Sequence, residues 1–438
     1  MSDWSVDELE HWDKKICAIG AKHGLDWYDI DYEIIDYHEM ISAMAYTGLP
    51  SHYRHWSFGK AYERTHTLYN AGMTGLPYEM IINTDPSISY LMKENQMYIH
   101  ILTMAHCVGH SDFFKNNRMF AQTNAAGALP RFKAAAKYIR SLIEDPSIGI
   151  DEVEVILDAC HAIKYQVPRY PGIVRRSHTE LKQIYAQHMH EDETGQYKDF
   201  DLEKIPLEKD YNLLAFLAEH SRNLSDWQRN LISIIEENSS YFIPQAMTKI
   251  MNEGWAVLMH EKILQELELP DKYHIPFMKL HNQVIKPQLG QINPYYLGYR
   301  LFKNIEKKYG FEECKLVREV HNDITFLRKY LTLEMCDELN LFSYSHKKSR
   351  GYKTIDEVSD DRGWELIRDD LIKTIGLSSI PVVYVEEITK QHSLILRHEH
   401  DGRDLDIPYA KKVHHYIEEL WGDEVKLFTV LEGDDWEF

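Results

Sequence analysis

The stretch NTDPSISYLMKENQMYIHILTMAHCVGHSDFF, residues 83–114, carries the strongest periodic signal in the chain. Asn83, Thr84 and Asp85 are residue types that accept hydrogen bonds from the free N–H groups opening a helix. Pro86 suits a first helical turn, where its missing N–H would have no partner. Behind them Ile88, Leu91, Met92, Ile99, Leu102, Met104 and Ala105 recur at helical spacing, which predicts one helix running to about Phe114. Toward its end stands His106-Cys-Val-Gly-His110. Residues four apart on a helix are separated by about 40° around the axis and about 6 Å along it, so both imidazoles can reach one cation.

Outward from this stretch, helical patterns cover about 151–165, with Asp158-Ala-Cys-His161, then 212–219, 226–238 and 295–308. A further helix is predicted between Pro244 and Pro270, carrying Asn252-Glu253-Gly-Trp-Ala and His260. His188–Lys209 is charged and aperiodic and reads as an exposed loop. Ser343–Arg350 is polar and basic and reads as a linker. Beyond it the order changes to helix (361–374), strand (382–386), strand (393–399), helix (408–420) and strand (425–431). The expected fold class is therefore mainly α: a helical core domain over residues 1–342 and a small α+β domain over 350–438.

Composition narrows the function classes. The 438 residues carry a formal charge of −20, which repels phosphate backbones, and no basic stripe with interleaved aromatics offsets it, so nucleic acid is not an expected partner. Five cysteines are widely spaced with no CxxC pair, which argues against a disulfide framework or a cysteine zinc knuckle. The acidic N-terminus lacks an apolar core like a signal peptide's, and no apolar run approaches membrane-spanning length. A soluble cytoplasmic protein is expected.

His106 and His110 gain meaning from Glu253, because a carboxylate from a second helix can complete a site begun by two histidines. Gly254 costs about 1 kcal/mol relative to alanine inside a helix, and close approach to another helix or a ligand would explain it. His260 lies on the Glu253 face but about 10 Å further along, which suits a partner behind a ligand better than a ligand of the same ion. Asp158 and His161 form an i, i+3 pair that could orient a ligating histidine, bind a second ion, or be purely structural. Where HExxH metalloproteases place their general base, this chain has Cys107, and Gly109 precedes the second histidine. Glu79, Glu94 and Asp158 are the candidate bases. Cys107 is turned about 100° from His106 and is expected to pack rather than attack.

The segments HWSFGKAYER (55–64), YEMIINTDPSISYLMKENQM (78–97), AHCVGHSDFFKNN (105–117), LDACHAI (157–163), MNEGWAVLMH (251–260), INPYYLGYRLF (292–302) and VHNDITFLRKYLT (320–332) together resemble the stage V sporulation protein R (SpoVR-like) family. That resemblance implies a cytoplasmic bacterial protein linked to spore cortex formation or to stress operons, which often include a serine kinase. The HxxxGH and EGWA elements are similar to those of helical zincin-like peptidases, and this likeness implies Zn²⁺ or another divalent cation on His106, His110 and Glu253. Three functions are compatible with the residues. One is a metal-dependent amide or peptide hydrolase. Another is a non-catalytic regulatory or assembly protein with a structural metal. The third is a dinuclear carboxylate-bridged redox protein drawing also on Asp158, His161 and His260.

Overall fold

The computed structural model describes residues 4–173, 175–191, 195, 200–287, 292–347, 352–358 and 363–438. The first part of the chain forms α1 (Val6–Lys22), β1 (Ile30–Ile35), α2 (Tyr37–Ala45), α3 (Trp56–Asn70), β2 (Glu79–Ile82), β3 (Ser87–Met92), α4 (Met97–Asn116) and α5 (Ala125–Glu144). Next come α6 (Gly149–Ile163), α7 (His178–Glu191), α8 (Leu213–His220), α9 (Asp226–Met247), α10 (Lys249–Glu266), α11 (Asp271–Val284) and α12 (Pro294–Tyr309). They are followed by α13 (Phe311–Val320), α14 (Asp323–Tyr330), α15 (Leu333–Glu338), β4 (Phe342–Lys347), β5 (Tyr352–Val358) and α16 (Trp364–Thr374). The chain closes with β6 (Val383–Ile388), β7 (Leu394–His398), α17 (Ile407–Trp421), β8 (Val425–Leu431) and β9 (Asp434–Glu437). It is mainly helical.

Two compact units share these elements. One comprises residues 1–136 and 244–379, the other 137–243 and 380–438. This differs from the single division expected at 342–350: residues 363–379 pack with the first unit, and 137–243 with the C-terminal sheet.

In the first unit β3 is the centre of a three-stranded sheet, parallel to β1 and antiparallel to β2. Helix α4 packs against this sheet and against α1, α10 and α11, and α10 lies in turn against α12. Every residue of α4 from His100 to Phe114 is buried, as befits a helix covered on every side. In the second unit a four-stranded sheet, β6-β7-β8-β9, has α17 linking the parallel pair β7 and β8. Strand β8 alternates buried and half-buried positions, the period-two pattern of a strand with one face on a core.

Several expectations need correction. The helix expected from Asp85 starts only at Met97, because residues 87–92 form β3, buried at all six positions. Ile88, Leu91 and Met92 fit a helical stripe by spacing, but a short apolar run buried on both faces has no period that separates strand from helix. Asn83 and Thr84 are accordingly not helix caps: Asn83 Nδ2 donates to Thr123 Oγ1, and Thr84 Oγ1 accepts from Ile88 N–H. Pro244 lies inside α9 rather than ahead of a new helix. His188–Glu191 completes α7 instead of opening a loop. Residues 343–347 of the expected linker lie in β4, paired antiparallel with β5, while 348–350 fall outside the described residues.

Candidate metal centre

The cluster forms where α4 crosses α10. Gly109 permits it: a Cβ there would stand 2.8 Å from Ala256 Cα on α10. On the far side of α10, a Cβ on Gly254 would stand 2.3 Å from the Gly298 carbonyl carbon of α12. The helical glycine at 254 is thus explained by contact with a second helix at backbone distance. His106 and His110 point from successive turns of α4 toward Glu253, and their ligand-capable atoms all lie within 4.8 Å of one another.

The Nε2 atoms of His106 and His110 are 3.0 Å apart. Glu253 Oε2 lies 3.6 Å from the first and 3.4 Å from the second, and it is buried with no hydrogen-bond donor among the described residues. An ionised carboxylate oxygen so placed is costly to bury. Glu79, on β2, approaches from the sheet side, its Oε1 4.0 Å from His106 Nε2. Both glutamates keep limited solvent access, with side-chain exposures of 17% for Glu79 and 16% for Glu253.

Partners behind the cluster set the ring tautomers. Asn252 Oδ1 is 2.8 Å from His110 Nδ1; an amide oxygen only accepts, so Nδ1 donates and Nε2 is left with its lone pair toward the cluster. His106 Nδ1 meets His260 Nδ1 at 3.1 Å, and His260 Nε2 meets His281 Nδ1, on α11, at 2.8 Å. If each imidazole in that row donates outward, His106 Nε2 is likewise free to act as a ligand. Tyr295, at the start of α12, faces Glu253, whose charge drives the phenol well above its ordinary range.

Electrostatics follow from this packing. Burial, then the neighbouring His110, lowers His106 to about 4. Burial also works against charge on His110, but Glu253, Asn252 and Glu79 outweigh it and raise the ring above its ordinary value. Burial would raise Glu253, yet both histidines hold it well below the usual carboxylate range. Glu79 is pushed up to about 7 by burial, with His110 opposing and Glu253 reinforcing.

Two buried carboxylates hold the frame. Asp112 accepts from Trp255 Nε1, Arg318 Nη1 and the Asp26 N–H at 2.8–2.9 Å, tying α4 to α10 and α13. Burial pushes it up to about 6, below neutrality, so it stays ionised against Arg318. Asp323 accepts from the N–H groups of Ile250 and Met251, both at 2.9 Å, and so caps α10, whose own N-cap residue, Thr248, makes no side-chain cap bond.

Of the sequence candidates, the structure brings His106, His110, Glu253 and Glu79 together and puts His260 directly behind His106. Glu94 is exposed in the turn before α4. Asp158 and His161 lie on α6, in the other unit, and are not among the residues that build the cluster. Cys107 is fully buried, its Sγ 3.2 Å from Ser89 Oγ, and burial pushes the thiol far above its ordinary range. Sequence reasoning missed Asp112, His281, Tyr295 and Asp323. A charged residue inside the apolar run around Phe113 was the available signal for Asp112; the others depend on distant chain segments.

Residues 3–380 match the family of SpoVR-like proteins, and residues 379–432 match the SpoVR-like C-terminal domain. The Escherichia coli K12 protein described as uncharacterized protein YcgB is 31% identical over 97% of this chain and 92% of its own. No solved structure matches.

Proposed function

The chain belongs to the SpoVR-like family, and we propose that it holds one divalent cation, Zn²⁺ in the first instance, on His106, His110 and Glu253 and uses it to hydrolyse an amide or peptide bond during sporulation or stress. The observation that carries this reading is the spacing of the three ligand atoms. Bonds of ~2.0–2.2 Å in a tetrahedron put neighbouring ligand atoms ~3.3–3.6 Å apart. The separations here are 3.4 and 3.6 Å from Glu253 to the two histidines, inside that range, and 3.0 Å between the histidines, about 0.3 Å below it. The donor set agrees with it: two lone-pair nitrogens and an ionised, otherwise unsatisfied carboxylate oxygen are what a borderline cation takes.

A bound cation of this kind supplies Lewis acidity toward a carbonyl oxygen and a water molecule. The chain's own residues do the rest. Glu79 stands beside His106 Nε2 without belonging to the triad, and takes the proton from the attacking water. That role, filled in HExxH enzymes by the residue after the first histidine, falls here to a strand residue because Cys107 points into the core. Tyr295 donates to Glu253 and holds its carboxylate in place. Asn252 and the His260–His281 row keep each ligating nitrogen deprotonated. Two histidines, one glutamate and a carboxylate base would make the site zincin-like in chemistry.

Metal analysis of the purified protein tests the reading. One equivalent of zinc, lost in His110→Ala with helical content retained, is expected; absence of any stoichiometric metal, or two equivalents of iron or manganese, refutes it. Among the described residues one group of three metal-capable side chains converges, so the dinuclear alternative has no second ligand set there. An amidase assay against peptides with Glu79→Gln then separates hydrolysis from a structural metal: the variant should keep the zinc and lose turnover.

A further inference from the structure

The second unit contains a cavity of about 400 Å³ formed by the stretch after α6, the segment 205–212 and α8. That volume suits a small molecule. Its walls are rich in rings: Tyr165, Tyr170, Tyr211 and Phe216, with the imidazoles of His178 and His220 among them. Tyr170 and Tyr211 are 46% and 37% exposed, unusual for side chains that could be covered by folding. Phe216 and His220 meet as a tilted pair, ring centres 4.4 Å apart and 46° between their planes.

Charge in the cavity is balanced. Arg169, Arg175, Arg176 and Lys209 face Glu208, Asp210, Glu219 and Glu399, four cations against four anions. Arg175 is spent on two of those anions: Nε bonds Asp210 and Nη1 bonds Glu219, each at 2.7 Å. Asp210 is itself held rigid by the Asn212 N–H and by backbone bridging to Val385. Among the described residues the formal charges of the lining therefore cancel, so the cavity carries no net positive charge to recruit a phosphate or carboxylate.

What it offers is uncharged hydrogen-bonding capacity. His178 Nε2 is 3.0 Å from the Lys204 carbonyl; the carbonyl accepts, so Nε2 donates. Glu219 lies 3.8 Å from His220 Nε2, beyond hydrogen-bond distance. Burial lowers the pKa of His220, so the neutral ring presents one donor and one acceptor.

We propose that this cavity binds an uncharged nucleoside, its heteroaromatic base stacked on the tyrosine and Phe216–His220 rings and its donor and acceptor edge read by His178 and His220. Planar rings with mixed edges are the ligands for which stacking surfaces and imidazole edges are both useful. The site lies within the second unit and does not depend on the metal reading.

Titrate the full-length protein calorimetrically with adenosine, guanosine, cytidine and uridine, and with adenosine 5′-monophosphate for comparison. Saturable one-to-one binding of at least one nucleoside is expected. Tyr170→Ala and His220→Ala should each weaken it by ~5-fold or more with the unliganded thermal midpoint held, and Tyr170→Phe should retain it. Binding of none of the four nucleosides overturns the proposal, as does binding untouched by both alanine variants. Monophosphate binding more than tenfold tighter than adenosine would refute the charge-balance argument and the proposal with it.

Discussion

Replacing Gly254 by alanine places a methyl group 2.3 Å from the Gly298 carbonyl carbon, 2.5 Å from its Cα and 2.7 Å from Tyr299 N. All three obstacles are backbone, so no side chain can turn aside. Ordinary contact begins at 3.4 Å, and 3.4 minus 2.3 requires α10 and α12 to part by about 1.1 Å. Alanine gains about 1 kcal/mol of helix propensity, while overpacking a rigid contact costs about 1–3 kcal/mol. With backbone on both sides the upper part of that range applies, leaving a net loss of about 1–2 kcal/mol. The larger consequence is local. Glu253 precedes Gly254 and moves with α10, whereas ligand distances tolerate about 0.2 Å. Zinc affinity should fall ~10–100-fold, the range seen when support for a ligand is lost. Competition against a chromophoric chelator reads the affinity, and thermal denaturation reads the fold. Gly59→Ala is the control: it is exposed in α3 with nothing within 4 Å of its Cβ position and should gain stability without altering zinc. Should Gly254→Ala match the parent in both measurements, the close contact is wrong; a destabilised variant with unchanged affinity would break the link from helix spacing to ligand placement.

Three further outcomes are expected. Asn252→Ala frees His110 Nδ1 and should weaken zinc ~10–100-fold, while Asn252→Asp, which keeps the acceptor, should not; equal affinities in all three proteins would refute the tautomer argument. Burial pushes Asp323 up to about 7 from an ordinary 3.8, so the folded state holds the proton more tightly than the unfolded chain. Its contribution is greatest below the unfolded value and is lost as pH rises through the folded one. Against Asp323→Asn, the parent should therefore lose roughly 2–3 kcal/mol of relative stability between pH 5 and 7.5, and parallel urea midpoints across that window would count against it. Cys107→Ala should keep its metal and lose no more than about 2 kcal/mol; loss of activity with metal retained would revive a thiol mechanism.

The parts of the site legible in the sequence are those fixed by local geometry. His106 and His110 share a face because four residues nearly complete a helical turn, and that holds whatever surrounds the helix. Glu253 was identifiable beside an anomalous glycine, since Gly254 is costly unless something presses against it. What presses, Gly298, is 44 positions away and left no local trace. Glu79 was one of three candidate bases with nothing to choose among them. Its place beside His106 comes from the antiparallel pairing of β2 with β3, in which Glu79 stands opposite Leu91. That pairing is hidden in the sequence because the apolar residues of β3 happen to fall at the helical spacings of three and four.

The position of Glu253 is set mostly by backbone contacts, and this explains why the remainder was illegible. Helix α10 is capped by Asp323, pressed on Gly298 at Gly254 and on Gly109 at Ala256, and pinned through Trp255 to Asp112. Each restraint joins segments far apart in the chain and acts within one turn of the ligand. Glycine and alanine at such crossings carry no chemistry of their own, so no motif contains them as functional residues. They nonetheless determine whether two histidines and a glutamate stand 3.0–3.6 Å apart or too far apart to share an ion. A chain that kept the three ligands but enlarged Gly109 or Gly254 would retain the apparent motif and lose the geometry on which metal binding depends.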